Sequence, residues 1–271
     1  MSAIADAVAL LGVGTLAGIV STVASLASVV SYPALLAFGL PPVSANVTNT
    51  VALMFTGLGA AAGSRPELTG QAHRVRTLGL LTAAGGGAGA AVLLLTPPRG
   101  FEYAAPLLIA LGSVLLLLRR DPHPEGSHDD ESAAGPDGQA SSATSSAPAA
   151  GSGGRWLSQA AVFGVGVYIG YFGAAGGIIM LAALTRMYMQ PLAKTNALKN
   201  VISGLANAVA GIGFAIFGPV RWAAAVPLAA GFLIGGWIGP SLVRRLPAGG
   251  LRIFVGLGGL AVAIRLAFAA Y

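Results

Sequence analysis

The chain has 271 residues, of which 55% are hydrophobic and only 9% charged, with a mean hydropathy of +0.78. That composition excludes an ordinary soluble domain and describes a membrane protein. Fifteen Lys or Arg against nine Asp or Glu leave +6, but the basic residues stand singly between apolar runs, so no nucleic-acid-binding face is expected. The absence of Cys excludes disulfides, thiolate metal sites and Cys nucleophiles, and His73, His123 and His128 are too scattered to ligate a metal. No cofactor is expected.

The chain opens with MSAIADAVALLGVG, which lacks the basic segment of a secretory signal and continues apolar far past a signal's length, so it reads as mature protein. Residues 7–64 then carry no charged side chain, a stretch close to three times the roughly 20 residues of one membrane span. One helix cannot use it. Shorter uncharged runs follow at 77–98 and 103–118.

From 121 to 154 the composition changes to Ser, Ala, Gly, Pro, Asp and Glu without apolar periodicity, the signature of a disordered linker. Its acidic run Asp129, Asp130, Glu131 reads as solvation of that linker rather than as a metal site. Further uncharged runs occupy 156–185, 200–220, 222–243 and 253–264, the last extended past Arg265, a snorkelling anchor with Tyr271 beyond it. Trp156, Trp222 and Trp237 read as interfacial or packing aromatics.

Cutting at the linker gives a first repeat (1–120) and a second (155–271) that resemble each other. Gly12, Gly14 and Gly18 correspond to Gly164, Gly166 and Gly170. Thr48, Asn49, Gly57 and Leu58 correspond without a gap to Thr195, Asn196, Gly204 and Leu205. Gly85, Gly86 and Gly89 correspond to Gly235, Gly236 and Gly239, and each half closes with one more apolar helix. The common order argues for duplication.

Charge bias then sets orientation, because Lys and Arg in short loops prefer the cytoplasm. With four crossings per half, Arg65, Arg74, Arg76, Arg119, Arg120, Arg155 and Arg221 oppose Arg99, Arg186, Lys194, Arg244, Arg245 and Arg252, which is no bias. If instead residues 7–40 and 157–190 each go in and come back, the second half inverts, and all of these except Arg99 and Arg221 face the cytoplasm. The same count explains the long uncharged stretch. The expected fold is therefore an all-α polytopic membrane protein of two inverted repeats, each of about five transmembrane or half-membrane helices, with broken helices at the midplane. Both termini lie outside and the linker in the cytoplasm.

The in-and-back segments contain weak helical stretches followed by Pro, SLASVVSYP before Pro33 and GAAGGIIMLAALTRMYMQP before Pro191. Irregular backbone at membrane depth survives only inside protein or against a wet cavity, and broken helices expose N-terminal N–H groups that favour an anion. A second feature is KTNALKNVISGLAN, where Asn196, Asn200, Ser203 and Asn207 share a helical face with Lys199 one residue away. Ser203 and Asn207 are expected to bond neighbouring helices. An ammonium about a turn inside an apolar helix must snorkel or meet an anion, which makes Lys199 a ligand candidate. In the first half Ser44, Asn46, Thr48, Asn49 and Thr50 supply similar polarity, with Ala52 in the place of Lys199. The candidate substrate-binding set is Ser25, Ser28, Asn49, Gly173, Gly176, Gly177, Asn196, Lys199 and Asn200. All nine acids fall in termini, loops or linker, so a proton relay is unsupported.

These segments, with PALLAFGLPPVSANVTNTVAL, GVYIGYFGAAGGIIMLAAL, LAKTNALKNVISGLANAVAG and GGWIGPSLVRRLP, make the chain similar to the TauE/SafE sulfite exporter family, also called the toluene-sulfonate uptake permease family. The resemblance spans nearly all of the chain outside the linker. It implies a multi-pass protein of the bacterial inner membrane that exports sulfite, a sulfonate or a related organic anion. Where the family commonly has a run of glycines, this chain reads ASLASVVSYP, which puts hydroxyls at Ser25 and Ser28. The partners so implied are a small anion and the lipid bilayer, and the chain could also pair as a homodimer. An anion channel or a non-transporting scaffold is the alternative. A membrane enzyme is the weakest reading, because no acid pair, His cluster or activated nucleophile lies within the spans.

Overall fold

The computed structural model describes residues 3–118, 152–173 and 176–243, together with Leu260 and Ile264. Among them the chain forms α1 (Ala3–Ala24), α2 (Ala27–Ala37), α3 (Pro42–Gly63), α4 (Arg65–Leu68), α5 (Ala72–Leu95), α6 (Pro98–Leu118), α7 (Ser152–Tyr171), α8 (Gly176–Met187), α9 (Leu192–Phe217) and α10 (Trp222–Val243). The described residues contain no strand. α1, α5, α9 and α10 are long and apolar enough to cross a membrane, and α2 and α8 are shorter apolar helices. The protein is an all-α polytopic membrane protein. The segment read as linker lies mostly outside the described residues, although α7 already begins inside it at Ser152. The segment read as the last helix, with Arg265 and the cluster Arg244, Arg245 and Arg252, also lies outside them apart from Leu260 and Ile264.

Proline marks where several helices begin. Pro41 precedes α3, whose first residue is Pro42, and Pro191 precedes α9. A proline at the first helical position gives up an N–H that has no intrahelical partner anyway. Pro33 is different. It sits inside α2 without ending it, and the interruption of the first segment falls earlier, at Ser25 and Leu26. The matching interruption in the second half begins at Phe172 and Gly173.

Glycine contacts fix how the helices lie. α1 and α10 run in the same direction, with Gly14 against Gly231, Gly18 against Gly235 and Thr22 against Gly239. α10 also runs with α3, placing Gly236 against Thr56 and Gly63 against Trp237. In the same way α7 runs with α5 through Gly166 and Gly85, then Gly170 and Gly86, and α5 runs with α9 through Gly86 and Ala206. Two bundles of three parallel helices result. Lipid supplies no hydrophobic drive between helices, so close backbone approach at small residues is what holds such contacts. Gly12 and Gly164, by contrast, have nothing within 4 Å of where a Cβ would stand.

The bundles meet where α3 crosses α9. A Cβ on Gly57 would stand 2.6 Å from Gly204 Cα, so the two backbones touch with no side chain between them. At one end Ser44 donates to Pro219 O (2.7 Å) and Arg221 N–H donates to Thr48 Oγ1 (3.0 Å). At the other end Gln71 Nε2 donates to Lys194 O (3.2 Å) and to Glu67 O (2.9 Å). The start of α3 therefore lies beside the end of α9, and the two are antiparallel. Since α1 and α3 share a direction, α2 carries the chain back between them, and α8 does the same between α7 and α9. α6 packs a stripe of Phe101, Ala105 and Ile109 against the first bundle and the end of α7.

Candidate functional site

Both interruptions open onto one cavity of about 50 Å³ between the bundles. Ser25 closes α1 with φ 67, the one described non-glycine residue in the left-handed region, and Gly173 follows α7 with φ 75. For a residue with a Cβ that conformation costs roughly 1–2 kcal/mol, so the serine is held there by its surroundings. Ser25 N–H still donates to Ser21 O (3.0 Å), and the chain restarts as α2 at Ala27. Gly177, in the first turn of α8, packs on Ser25 so closely that a Cβ there would stand 2.7 Å from Ser25 Cβ. The starts of α2 and α8 thus border the same space, bringing the positive ends of two helix dipoles to it.

α9 forms the opposite wall with Lys199, Asn200, Ser203, Gly204 and Asn207, and α3 adds Leu53, Thr56, Gly57 and Ala60. Lys199 is 2% exposed and does not snorkel. Its Nζ donates to Ser25 Oγ at 2.6 Å and to Ser21 O at 3.4 Å, spanning from the second half to the first. Because Ser25 Oγ accepts from the ammonium, its own O–H is left to donate elsewhere. Ser28 is arranged alike: Asn49 Nδ2 donates to Ser28 Oγ at 3.2 Å from behind. Around them, Asn200 Nδ2, Ser203 Oγ and Thr56 Oγ1 are buried without a hydrogen-bond partner. Each such group costs about 1–3 kcal/mol if nothing satisfies it. One cation, two pre-oriented hydroxyls and an amide N–H therefore converge on a space bordered by helix N-termini.

Of the residues singled out from sequence, Ser25, Ser28, Gly173, Gly177, Lys199 and Asn200 line the cavity. Asn49 stands behind Ser28, and Gly176 packs on the Ile169 side chain. Asn196 turns away, donating from Nδ2 to Thr22 O at 2.9 Å, where it satisfies a carbonyl near the broken end of α1. Asn46 does the same for α7, donating to Tyr171 O at 3.0 Å, three positions off the aligned Asn49. The expectation that Ser203 and Asn207 bond neighbouring helices is corrected: both line the cavity, and Ser203 Oγ has no partner. Sequence reading missed Ser21 and Thr56, which carry no pattern beyond being hydroxyls on helices.

Just beyond Ser28 and Gly173, aromatic rings pack together. Tyr32, one turn past Ser28, meets Phe172 edge-on at 5.5 Å, and Phe101 of α6 lies 5.7 Å from Phe172 and 6.1 Å from Tyr171. Tyr32, Phe101 and Phe172 are all fully buried.

Broken helices that meet at a buried, cationic, donor-lined cavity within a multi-pass bundle define a membrane transport protein. Residues 10–266 match the sulfite exporter TauE/SafE family. The chain belongs to that family. No curated protein and no solved structure matches it.

Proposed function

We propose that this protein is a carrier that exports a small sulfur-containing oxyanion, sulfite or a compact sulfonate, across the bacterial inner membrane by alternating access. The observation that carries the reading is Lys199: a buried ammonium held on Ser25, facing unpartnered donors at Asn200, Ser203 and Thr56. An anion there would complete several buried groups at once, and charge-assisted hydrogen bonds are roughly twice as strong as neutral ones. Size favours the compact end of the class. At roughly 10–15 Å³ of such space per water-sized group, 50 Å³ holds a solute of a few heavy atoms and not an aryl ring with its substituents.

We further propose that the halves are inverted repeats, with both termini outside. The antiparallel crossing at Gly57 and Gly204 supports this, as does the meeting of Gln71 and Arg74 with Gln190 and Lys194 at one end, residues that the four-crossing count puts on opposite faces. An anion leaving a cell with a negative interior descends the potential by about 2.3 kcal/mol per charge per 100 mV, so export needs no coupling ion.

A channel is the second reading, and flux in proteoliposomes separates the two. A carrier gives saturable sulfite flux that compact oxyanions compete for and toluene-sulfonate does not. Flux that rises linearly with sulfite, without competition, would establish a channel.

A further inference from the structure

A second cavity lies on the lateral surface, at the end of the bundle that carries Arg65 to Arg76. From Gly85 and Phe163 onward, α5 and α7 touch backbone to backbone. One and two turns before Gly85 the α5 positions carry the larger Leu81 and Thr77, Gln159 stands one turn before Phe163 on α7, and the helices leave a groove of about 540 Å³. His73, Arg76, Thr77 and Gln159 line its polar part, and Leu80 and Leu81 its apolar part.

The groove is graded along the axes of α5 and α7. Its basic residues stand in the first turns of α5, level with the start of α7, where Trp156 is exposed. Exposed Trp at a helix end marks the headgroup region. Leu80, a turn deeper, is exposed toward the hydrocarbon. The neighbouring Arg74 is engaged elsewhere, donating to Gln190 Oε1 and stacking 4.3 Å from the Tyr188 ring. The side chains of His73, Arg76, Thr77 and Gln159 make no hydrogen bond to other described residues and are turned to the groove. Two parallel helix N-termini at the same level add partial positive charge.

We infer that this groove is a binding site for one anionic phospholipid, its phosphate held by Arg76 and His73 and an acyl chain lying on Leu80 and Leu81. Charge selects the headgroup, and the apolar floor selects a lipid over a free phosphate. Zwitterionic lipids lack the net charge that Arg76 complements.

Native mass spectrometry on the full chain, released from neutral detergent after equilibration with equimolar dioleoyl phosphatidylglycerol and dioleoyl phosphatidylcholine, tests the assignment. The expected result is one tightly retained phosphatidylglycerol per chain, at least fivefold less retention in Arg76→Gln, and an intermediate loss in Leu80→Asn. Both positions are exposed, and an unchanged melting temperature in lipid-free detergent confirms that the variants fold. Glycerol 1-phosphate at the same phosphate concentration should neither bind nor compete. Equal retention of phosphatidylcholine, undiminished phosphatidylglycerol on Arg76→Gln, or competition by glycerol 1-phosphate would overturn the proposal.

Discussion

Lys199 on α9 and Ser25 at the end of α1 meet across the two halves, the ammonium donating to the hydroxyl at 2.6 Å where the α1 backbone turns left-handed. The first half offers no counterpart cation, since Ala52 occupies the aligned position and is fully buried. All the side-chain positive charge in the described cavity wall thus comes from one residue. Lys199→Ala should lower sulfite flux in proteoliposomes by at least tenfold while the protein still elutes and melts as a folded species. Unchanged flux would remove Lys199 from the site.

Ser25 separates stability from function. Glycine adopts its φ without penalty, and Ser25→Ala loses the same bond to Lys199 while keeping about 1 kcal/mol of backbone strain, so Ser25→Gly should melt higher in detergent than Ser25→Ala. Sulfite flux should fall in Ser25→Gly, because the hydroxyl between Lys199 and the cavity is gone. Undiminished flux in that variant would show that the hydroxyl has no part in binding.

The glycine contacts predict a contrast within one residue type. Gly57→Ala drives a methyl into Gly204 Cα and should destabilise the fold by about 1–3 kcal/mol, with Gly204→Ala giving the mirror result. Gly12→Ala has open space and should be neutral or slightly stabilising, since alanine is the better helix former. Thermal unfolding in one detergent compares the three. Equal midpoints would refute the close crossing of α3 and α9.

The chain has no Cys, which allows single-cysteine labelling without background. Ser28→Cys lies in the cavity behind Tyr32, Phe101 and Phe172. A membrane-impermeant thiol reagent added outside should label it slowly, and at least tenfold faster once Phe101→Ala removes the ring that α6 contributes. If the rates match, the aromatic stack is not the outer closure.

Orientation is checked with three exposed positions. Thr69→Cys and Met189→Cys, from different halves, should be labelled only from the cytoplasmic side, and Arg221→Cys only from outside. Labelling of Thr69→Cys and Met189→Cys from opposite sides would refute the five-crossing arrangement.

Composition and the spacing of charges were enough to read a multi-pass helical bundle, because burying charge in lipid costs more than any local preference can offset. The paired glycines were visible too, but not that Gly14 and Gly18 seek Gly231 and Gly235 of the other half, since a sequence comparison says which positions are alike and not which of them touch. Lys199 stood out as a cation in an apolar run. Its partner did not: Ser25 resembles its neighbours Ser21 and Ser28 until the backbone is seen to turn there, and Pro33 drew attention from the true interruption. Asn196 shares a helical face with Asn200, yet lies a turn nearer the start of α9, and that difference in depth sends its amide to Thr22 O instead of the cavity. Periodicity reports the angle of a side chain about its helix and is silent on its height in the membrane.

Helices that pack by interlocked side chains must climb over one another's ridges to change their angle. At Gly57 and Gly204 there are no ridges to climb, only hydrogen against backbone. That crossing can serve as a fulcrum: a scissoring of α3 on α9 would swing Lys199, more than a turn from the pivot on α9, while Thr56, next to Gly57, stays with the contact.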